Sequence, residues 1–525
     1  MYKCFFGLVA FLSLTLNTFG SANLDVDTNK LVVSTQQGLL QGIKEKGVSV
    51  WKGVPYAKAP IGDLRFKAPQ PAENWKGLRK ADTFGNMAMG YKRSKKDQQE
   101  QSEDCLFLNV WSPATEAKKR PVMFWIHGGG FISGSGSSDL YDGAHLAAKG
   151  DVVVVTINYR MGPFGFLYFD GLPKHDGFEN NLGIKDQIAA LKWVHNNIAA
   201  FGGDPNNVTI FGESAGAISV QTLMAVPSAK GLFQKAIAES GAPKNIWGPE
   251  FSSAFTKRYL QLVGVDTAHL EKLKTLNADT MALAMRNLLD MICIEATPNK
   301  TIAPTLDGSF LPQNLMEAIQ SGSAANVPLL IGTNKDEATL FALKSLNMAP
   351  RTAKGLIPYV SRFSPEEQNR LLAAYKNYPH KSGVLSIITD GVFAMPSMQF
   401  AALQSEKAPT YMYRFDWSST PLKISGLRAC HGVELPFVFG NFDTRVGKLV
   451  LLMARKKDIY KIADEMQQAW INFARTGNPN STLTTNWTVY SVQQRSTLIF
   501  DRKQSTVNDP DASRREAWGA LNIFE

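Results

Sequence analysis

Ser214 stands in Gly212-Glu213-Ser214-Ala215-Gly216, and this is the one G-x-S-x-G in the chain that lies between a strand-like and a helix-like segment. A serine hydroxyl becomes a useful nucleophile only when a base takes its proton. Residues 208–211 (Val, Thr, Ile, Phe) lead in as a short apolar strand, and residues 215–225 follow as a helix. A sharp turn between the two lifts the Ser hydroxyl clear of its neighbours. It also sets the hydroxyl at a helix start, where partial positive charge favours a developing anion. Gly212 and Gly216 suit such a turn because it brings backbone segments together. A second element, His127-Gly128-Gly129-Gly130-Phe131, directly follows the apolar run 122–126. Three glycines let backbone N–H groups converge on one point. Together with the N–H of Ala215, these donors can hold the oxyanion that forms when a hydroxyl attacks a carbonyl. A phosphate cradle does not fit, since no Gly-Lys-Ser/Thr follows and no G-x-G-x-x-G opens a helix.

The base must come from seven histidines: His127, His145, His175, His195, His269, His380 and His431. Where a strand-to-helix turn carries the nucleophile, the order along the chain is Ser, acid, His. Four histidines precede Ser214, and His269 leaves little room for an intervening strand and acid. His431 is favoured over His380, because Gly432 beside it permits a loop to reach over the sheet edge. His380, in Tyr378-Pro379-His380-Lys381, reads as a solvated turn. The acid is less determined. Glu337 and Asp336 both follow the apolar run 329–331, at a strand's carboxyl end where active-site loops gather. Chemistry alone admits either. The acid's task is to hold the imidazole in the correct tautomer and to stabilise its cation.

These residues need a sheet to position them. Residues 122–126, 152–157, 208–211 and 329–331 are short, nearly continuous apolar runs, as in strands buried on both faces of a mostly parallel sheet. Ile184, Ile188, Leu191, Val194 and Ile198 recur at helical spacing between them, and Gly202-Gly203 stops that helix. Strand, helix, strand order predicts an α/β fold: a central mostly parallel sheet flanked by helices, with right-handed crossovers. Residues 31–33 and 38–42 predict an antiparallel hairpin at one sheet edge. Helical patterns near 250–325 and 345–405 predict excursions from the sheet within one domain covering 23–525.

The 525 residues include 56 basic and 46 acidic ones, a formal +10. The basic residues are dispersed and their clusters short, so solvated loops explain them better than a nucleic-acid surface. Residues 1–22 carry Lys3, an apolar run over 5–16, and small residues at Gly20, Ser21 and Ala22. That is the layout of a secretory signal peptide, and the run is too short for a bilayer-spanning helix of about 20 residues. No later segment reads as apolar for long enough to span, and no lipid anchor is expected. A secreted or periplasmic location follows. Cleavage would remove Lys3 and Cys4, leaving 55 basic residues against 46 acidic, with Cys105, Cys293 and Cys430. Three thiols permit one disulfide and one free cysteine, without fixing the pair. No Cys/His spacing resembles a zinc site, and the serine chemistry requires no cofactor. Asn207, Asn299, Asn480 and Asn486 open sequons.

Taken together, the chain resembles the type-B carboxylesterases, the α/β-hydrolases that include cholinesterases and bacterial para-nitrobenzyl esterases. The resemblance spans Gly53 to Ala57, Leu64-Arg65-Phe66, Glu103 to Asn109, the His127 run and Phe201 to Pro205. It continues through the Ser214 turn, Asn334 to Ala338, His431-Gly432 and Thr476 to Pro479. It implies Ser214 as nucleophile, Glu337 as acid, His431 as base, and Gly129, Gly130 and Ala215 as oxyanion donors. It also implies structural ion pairs Arg160–Asp186 and Arg65–Glu103. Trp247 and Phe341 resemble aromatic acyl-pocket positions, and are expected to bind substrate. The stretch 84–101 lacks the Cys and the Trp that cholinesterases carry upstream of the counterpart of Cys105, which argues against cholinesterase activity and leaves Cys105 without that partner. Residues 298–301 lack acyl-pocket aromatics, so a wide acyl pocket is expected. The expected activity is hydrolysis of small-molecule carboxylic esters. Lipase, thioesterase or amidase chemistry could use the same triad, and a non-catalytic binding protein is the competing class.

Overall fold

A computed structural model describes residues 31–91, 100–116, 118–241, 243–294, 302–484, 486–519 and 521. The proposed signal peptide and Asn299 lie outside them. Eleven strands form the central sheet: β1 (Ile43–Glu45), β2 (Val48–Pro55), β3 (Phe107–Ser112), β4 (Arg120–Ile126), β5 (Val153–Ile157), β6 (Gly203–Glu213), β7 (Lys235–Glu239), β8 (Leu329–Asn334), β9 (Thr410–Phe415), β10 (Ser496–Phe500) and β11 (Ser505–Asn508). Their spatial order is β11-β10-β9-β8-β7-β6-β4-β5-β3-β2-β1. From β5 to β10 every neighbouring pair is parallel, and the antiparallel pairs lie at the two edges.

The apolar runs become the centre of the sheet because both faces are covered. All seven residues of β4 are buried. Val122, Phe124 and Ile126 enter one apolar core, while Met123 and Trp125 enter the other, on the opposite face. The sheet is therefore a wall between two cores, following the period of two along a strand. Helices α1 (Leu182–Asn197) and α2 (Ala215–Ala225) supply crossovers around β6, and α5 (Lys456–Thr476) packs in the second core.

The hairpin expected over 31–42 forms, but not in the main sheet. Val32–Thr35 pairs with Gly38–Gln41, and these join Leu78–Lys80 in a separate three-stranded sheet. The antiparallel edge of the main sheet is the next hairpin, β1 and β2, whose pairing runs on to β3. Between β7 and β8 lie Pro249–Leu262, α3 (Ala278–Ile294) and Leu315–Gln320; between β8 and β9 the longest helix is α4 (Lys381–Ser405). By length and composition α4 could cross a bilayer, which the sequence reading did not anticipate. Yet its most apolar stretch is 83% buried inside the protein, as expected of a core helix.

Candidate active site

The carboxyl ends of β4, β6, β8 and β9 converge, and each carries a loop with one part of the site. After β6 the chain turns at Ser214, with φ 59° and ψ −123°, and α2 begins at the next residue. A non-glycine residue in that region is strained. The strain is held by packing: the Ser214 N–H donates to the Glu239 carbonyl at 2.9 Å, and Gly216 lies against β4. A Cβ on Gly216 would sit 2.0 Å from the carbonyl oxygen of Ile126, so no larger residue fits without moving the strand.

After β4 the glycine run folds back on itself. Gly129 adopts φ 115°, and its carbonyl accepts from the N–H of Ile132 and of Ser133. Among the described residues the N–H groups of Gly129, Gly130 and Ala215 make no hydrogen bond. His127 anchors the run. Its Nδ1 donates to the Gly128 carbonyl at 2.9 Å, and its ring stacks on Tyr159 at 4.5 Å. Burial pushes its pKa down to about 4, so it is a neutral pin.

After β8 comes the loop that carries both candidate acids, Asp336 and Glu337. His431 Nδ1 lies 2.7 Å from Glu337 Oε2, and Glu337 Oε1 accepts the N–H of Asn334 at 2.7 Å. Asp336 turns elsewhere, with its Oδ1 3.8 Å from Arg428 Nη1. The geometry thus joins Glu337, and not Asp336, to His431. His380 is exposed at the start of α4, its N–H bonded to the Asn377 carbonyl.

Two further carboxyls, not anticipated from the sequence, crowd the imidazole. His431 Nε2 is 3.0 Å from Glu213 Oε1, although the two are not aligned as a hydrogen bond. Glu434, three residues beyond the histidine, is bonded to the Asn334 side chain. Burial opposes the charged imidazole, but Glu213, Glu337 and Glu434 outweigh it and push His431 up to about 9. Burial, reinforced by Glu213 and Glu337, raises Glu434 well above the usual carboxyl range. Burial likewise pushes Glu239 up to about 8 despite the Trp470 N–H at 2.8 Å. Their positions inside or beside the two motifs were the available signal, but sequence spacing does not show where side chains converge.

Beside Ser214 lies a cavity of about 120 Å³, lined by Gly130, Ala215, Ile218, Ile302, Phe341 and Phe393 among others. Phe341 packs on His431 with ring centroids 4.9 Å apart. Trp247 is not among the lining residues; its ring packs on Phe251 at 4.9 Å and its backbone bridges Thr305. Phe393, unremarked in the sequence, packs on His431 at 5.0 Å. The ion pairs stand apart from the cavity: Arg160 Nη2 meets Asp186 Oδ1 at 2.7 Å, and Arg65 Nε meets Glu103 Oε1 at 2.6 Å. Cys105 and Cys430 are buried free thiols.

Comparison with known proteins matches residues 29–518 to the carboxylesterase family. The chain is 42% identical over 500 residues to the para-nitrobenzyl esterase of Bacillus subtilis (strain 168), covering 92% of this chain and 98% of that one. It is 32% identical over 528 residues to the cholinesterase of Mus musculus, covering 93% and 86%. Among solved structures, the Geobacillus stearothermophilus carboxylesterase EST55 superposes with a TM-score of 0.83 at 41% identity, covering 93% of this chain and all of that one. Fold, family match and relatives agree: the chain belongs to the carboxylesterase family, a carboxylic ester hydrolase built on the α/β-hydrolase fold.

Proposed function

We propose that ester hydrolysis proceeds through an acyl-enzyme on Ser214, with His431 as base and Glu337 as the residue that orients it. Neutral His431 takes the hydroxyl proton at Nε2 as Oγ attacks the ester carbonyl. The carbonyl oxygen becomes an anion and is held by the N–H groups of Gly129, Gly130 and Ala215, each such donor contributing roughly 3–4 kcal/mol. The tetrahedral adduct collapses, the C–O bond to the alcohol breaks, and His431 returns its proton to the departing oxygen. Water then attacks the acyl-enzyme with the same base, releasing the acid and restoring Ser214. The observation that carries this reading is the 2.7 Å contact of Glu337 with Nδ1, which leaves Nε2 as the nitrogen available to Ser214.

The cavity lining of Ile218, Ile302, Phe341, Ile388, Val392 and Phe393 supports an uncharged, apolar acyl group as the preferred substrate. The para-nitrobenzyl esterase likeness favours the same small-molecule ester class. The leader-like segment 1–22 supports export, with the mature enzyme secreted or periplasmic. Hydrolysis of p-nitrophenyl acetate and labelling by a fluorophosphonate probe test the assignment. Both should be lost in Ser214→Ala; hydrolysis at near wild-type rate in that variant would sink it. An amide or thioester series compared with the esters separates the alternative acyl chemistries.

A further inference from the structure

Helix α4 is not regular. Over Asp390–Ala394 it widens into a π turn, in which the N–H of Met395 bonds the Asp390 carbonyl five residues back. Pro396 gives the reason: it lacks an N–H for the carbonyl of Val392, and its ring would crowd that carbonyl in an α-helical ladder. Such turns are frequent at functional sites. This one has two faces. Ile388, Val392 and Phe393 line the cavity beside Ser214, and Phe393 packs on both His431 and Phe341. Asp390 and Gly391 meet the C-terminal helix α6 (Ala512–Gly519) and the segment carrying Tyr375.

On that second face Asp390, 2% exposed, accepts the hydroxyl of Tyr375 at 2.6 Å and Arg514 Nη1 at 3.0 Å. Trp518 Nε1 donates in turn to the Tyr375 oxygen at 2.6 Å. Gly391 lies so close to Trp518 that a Cβ there would sit 2.6 Å from the indole Cη2. The rest of α4 is pinned on both sides of the turn. Thr389 accepts the N–H of Ala338, the residue after Glu337, and Ser397 donates to the Gly241 carbonyl beside cavity residue Ser240. With the flanks pinned, the contact with α6 sets how far the π turn projects into the cavity.

We propose that the buried cluster of Asp390, Tyr375, Arg514 and Trp518 positions the π-turn wall, so that the C-terminal helix, which does not line the cavity, determines the length of acyl group the enzyme accepts. This rests on the cavity beside Ser214 being the acyl site. Asp390 and Gly391 are positioning residues, acting through Val392 and Phe393.

The test is the ratio of kcat/KM for p-nitrophenyl hexanoate over p-nitrophenyl acetate. Asp390→Asn loosens the tie to Arg514 and lets the wall yield, raising the ratio by about threefold or more. Gly391→Ala drives a methyl against Trp518 and pushes the wall inward, lowering the ratio. Gly391→Ala combined with Trp518→Phe, which removes the outer edge of the indole, returns the ratio to that of Trp518→Phe alone. Burial pushes Asp390 up to about 6 against the pull of Arg514, with Tyr375 in contact and Asp511 and Arg414 beyond. The wild-type ratio, in which the titration of His431 cancels, therefore rises as pH falls through about 6, and it stays flat in Asp390→Asn. Ratios within twofold of wild type in both single variants, or a Gly391→Ala effect that persists without the indole, overturn the proposal. Fluorophosphonate labelling of Ser214 separates the two readings. If wild type is not labelled, the site assignment fails; if it is labelled and the ratios do not move, the positioning role fails.

Discussion

His431 Nε2 lies 3.0 Å from Glu213 Oε1, the side chain immediately before the candidate nucleophile. With Glu337 on the other nitrogen at 2.7 Å, one imidazole sits between two carboxyls. A charged imidazole is favoured there, and only its neutral form can take a proton from Ser214.

The pH dependence follows from that sign. Burial resists protonation, but Glu213, Glu337 and Glu434 raise His431 to about 9, which favours the protonated form of the proposed base at neutral pH. The kcat/KM for p-nitrophenyl acetate should climb as pH rises toward about 9. Glu213→Gln removes a negative neighbour and lowers the imidazole pKa, moving the acid limb down by about 1–3 pH units. A pH–rate profile of the two enzymes checks it, and an unmoved limb refutes the coupling.

Glu337 and Asp336 are neighbours with different contacts. Glu337→Gln keeps the shape but loses the tautomer control at Nδ1, and kcat should fall on the order of 10⁴-fold with the fold retained. Asp336→Asn, on the Arg428 side, should leave kcat near wild type. Steady-state kinetics of the pair, with circular dichroism for the fold, decide between them.

Gly129→Ala meets two obstacles at once. Its φ of 115° is open mainly to glycine, and a Cβ would lie 2.0 Å from the Ser133 carbonyl oxygen. The turn carrying the two proposed oxyanion donors must shift, so hydrolysis should fall by about 10²–10³-fold, as when one donor is lost. KM should change less than kcat.

Arg160 and Asp186 are buried together, at 3% and 0% side-chain exposure. Arg160→Ala leaves Asp186 as an uncompensated buried charge and should cost about 3–5 kcal/mol of stability. A lowered urea midpoint, with residual activity in what remains folded, is the expected outcome.

The serine turn, the glycine run and the histidine were legible because each has a local signature: glycines where backbones meet, and apolar runs where strands are buried twice. β3, β7, β9 and β10 were not, since Asn109 and Arg414 interrupt the apolar pattern of β3 and β9, while Lys235 and Glu239 at the ends of β7 and Ser496 and Thr497 at the start of β10 shorten theirs. The choice of Glu337 over Asp336 needed the family likeness, because adjacent residues on a loop differ only in where they point. Glu213 and Glu434 were invisible as partners for the same reason. Phe393 was read only as part of a helical excursion, since a π turn leaves no periodicity that distinguishes it from a helix.

The carboxyls around His431 also bear on what happens after the chemistry. In the proposed scheme the ester arrives neutral, but the acid it yields ionises beside His431, which Glu213 and Glu337 flank at 3.0 and 2.7 Å. Like charges at such distances repel strongly where water is scarce. The same carboxyls that favour the imidazolium therefore disfavour a bound carboxylate, so added acetate should inhibit p-nitrophenyl acetate hydrolysis only weakly.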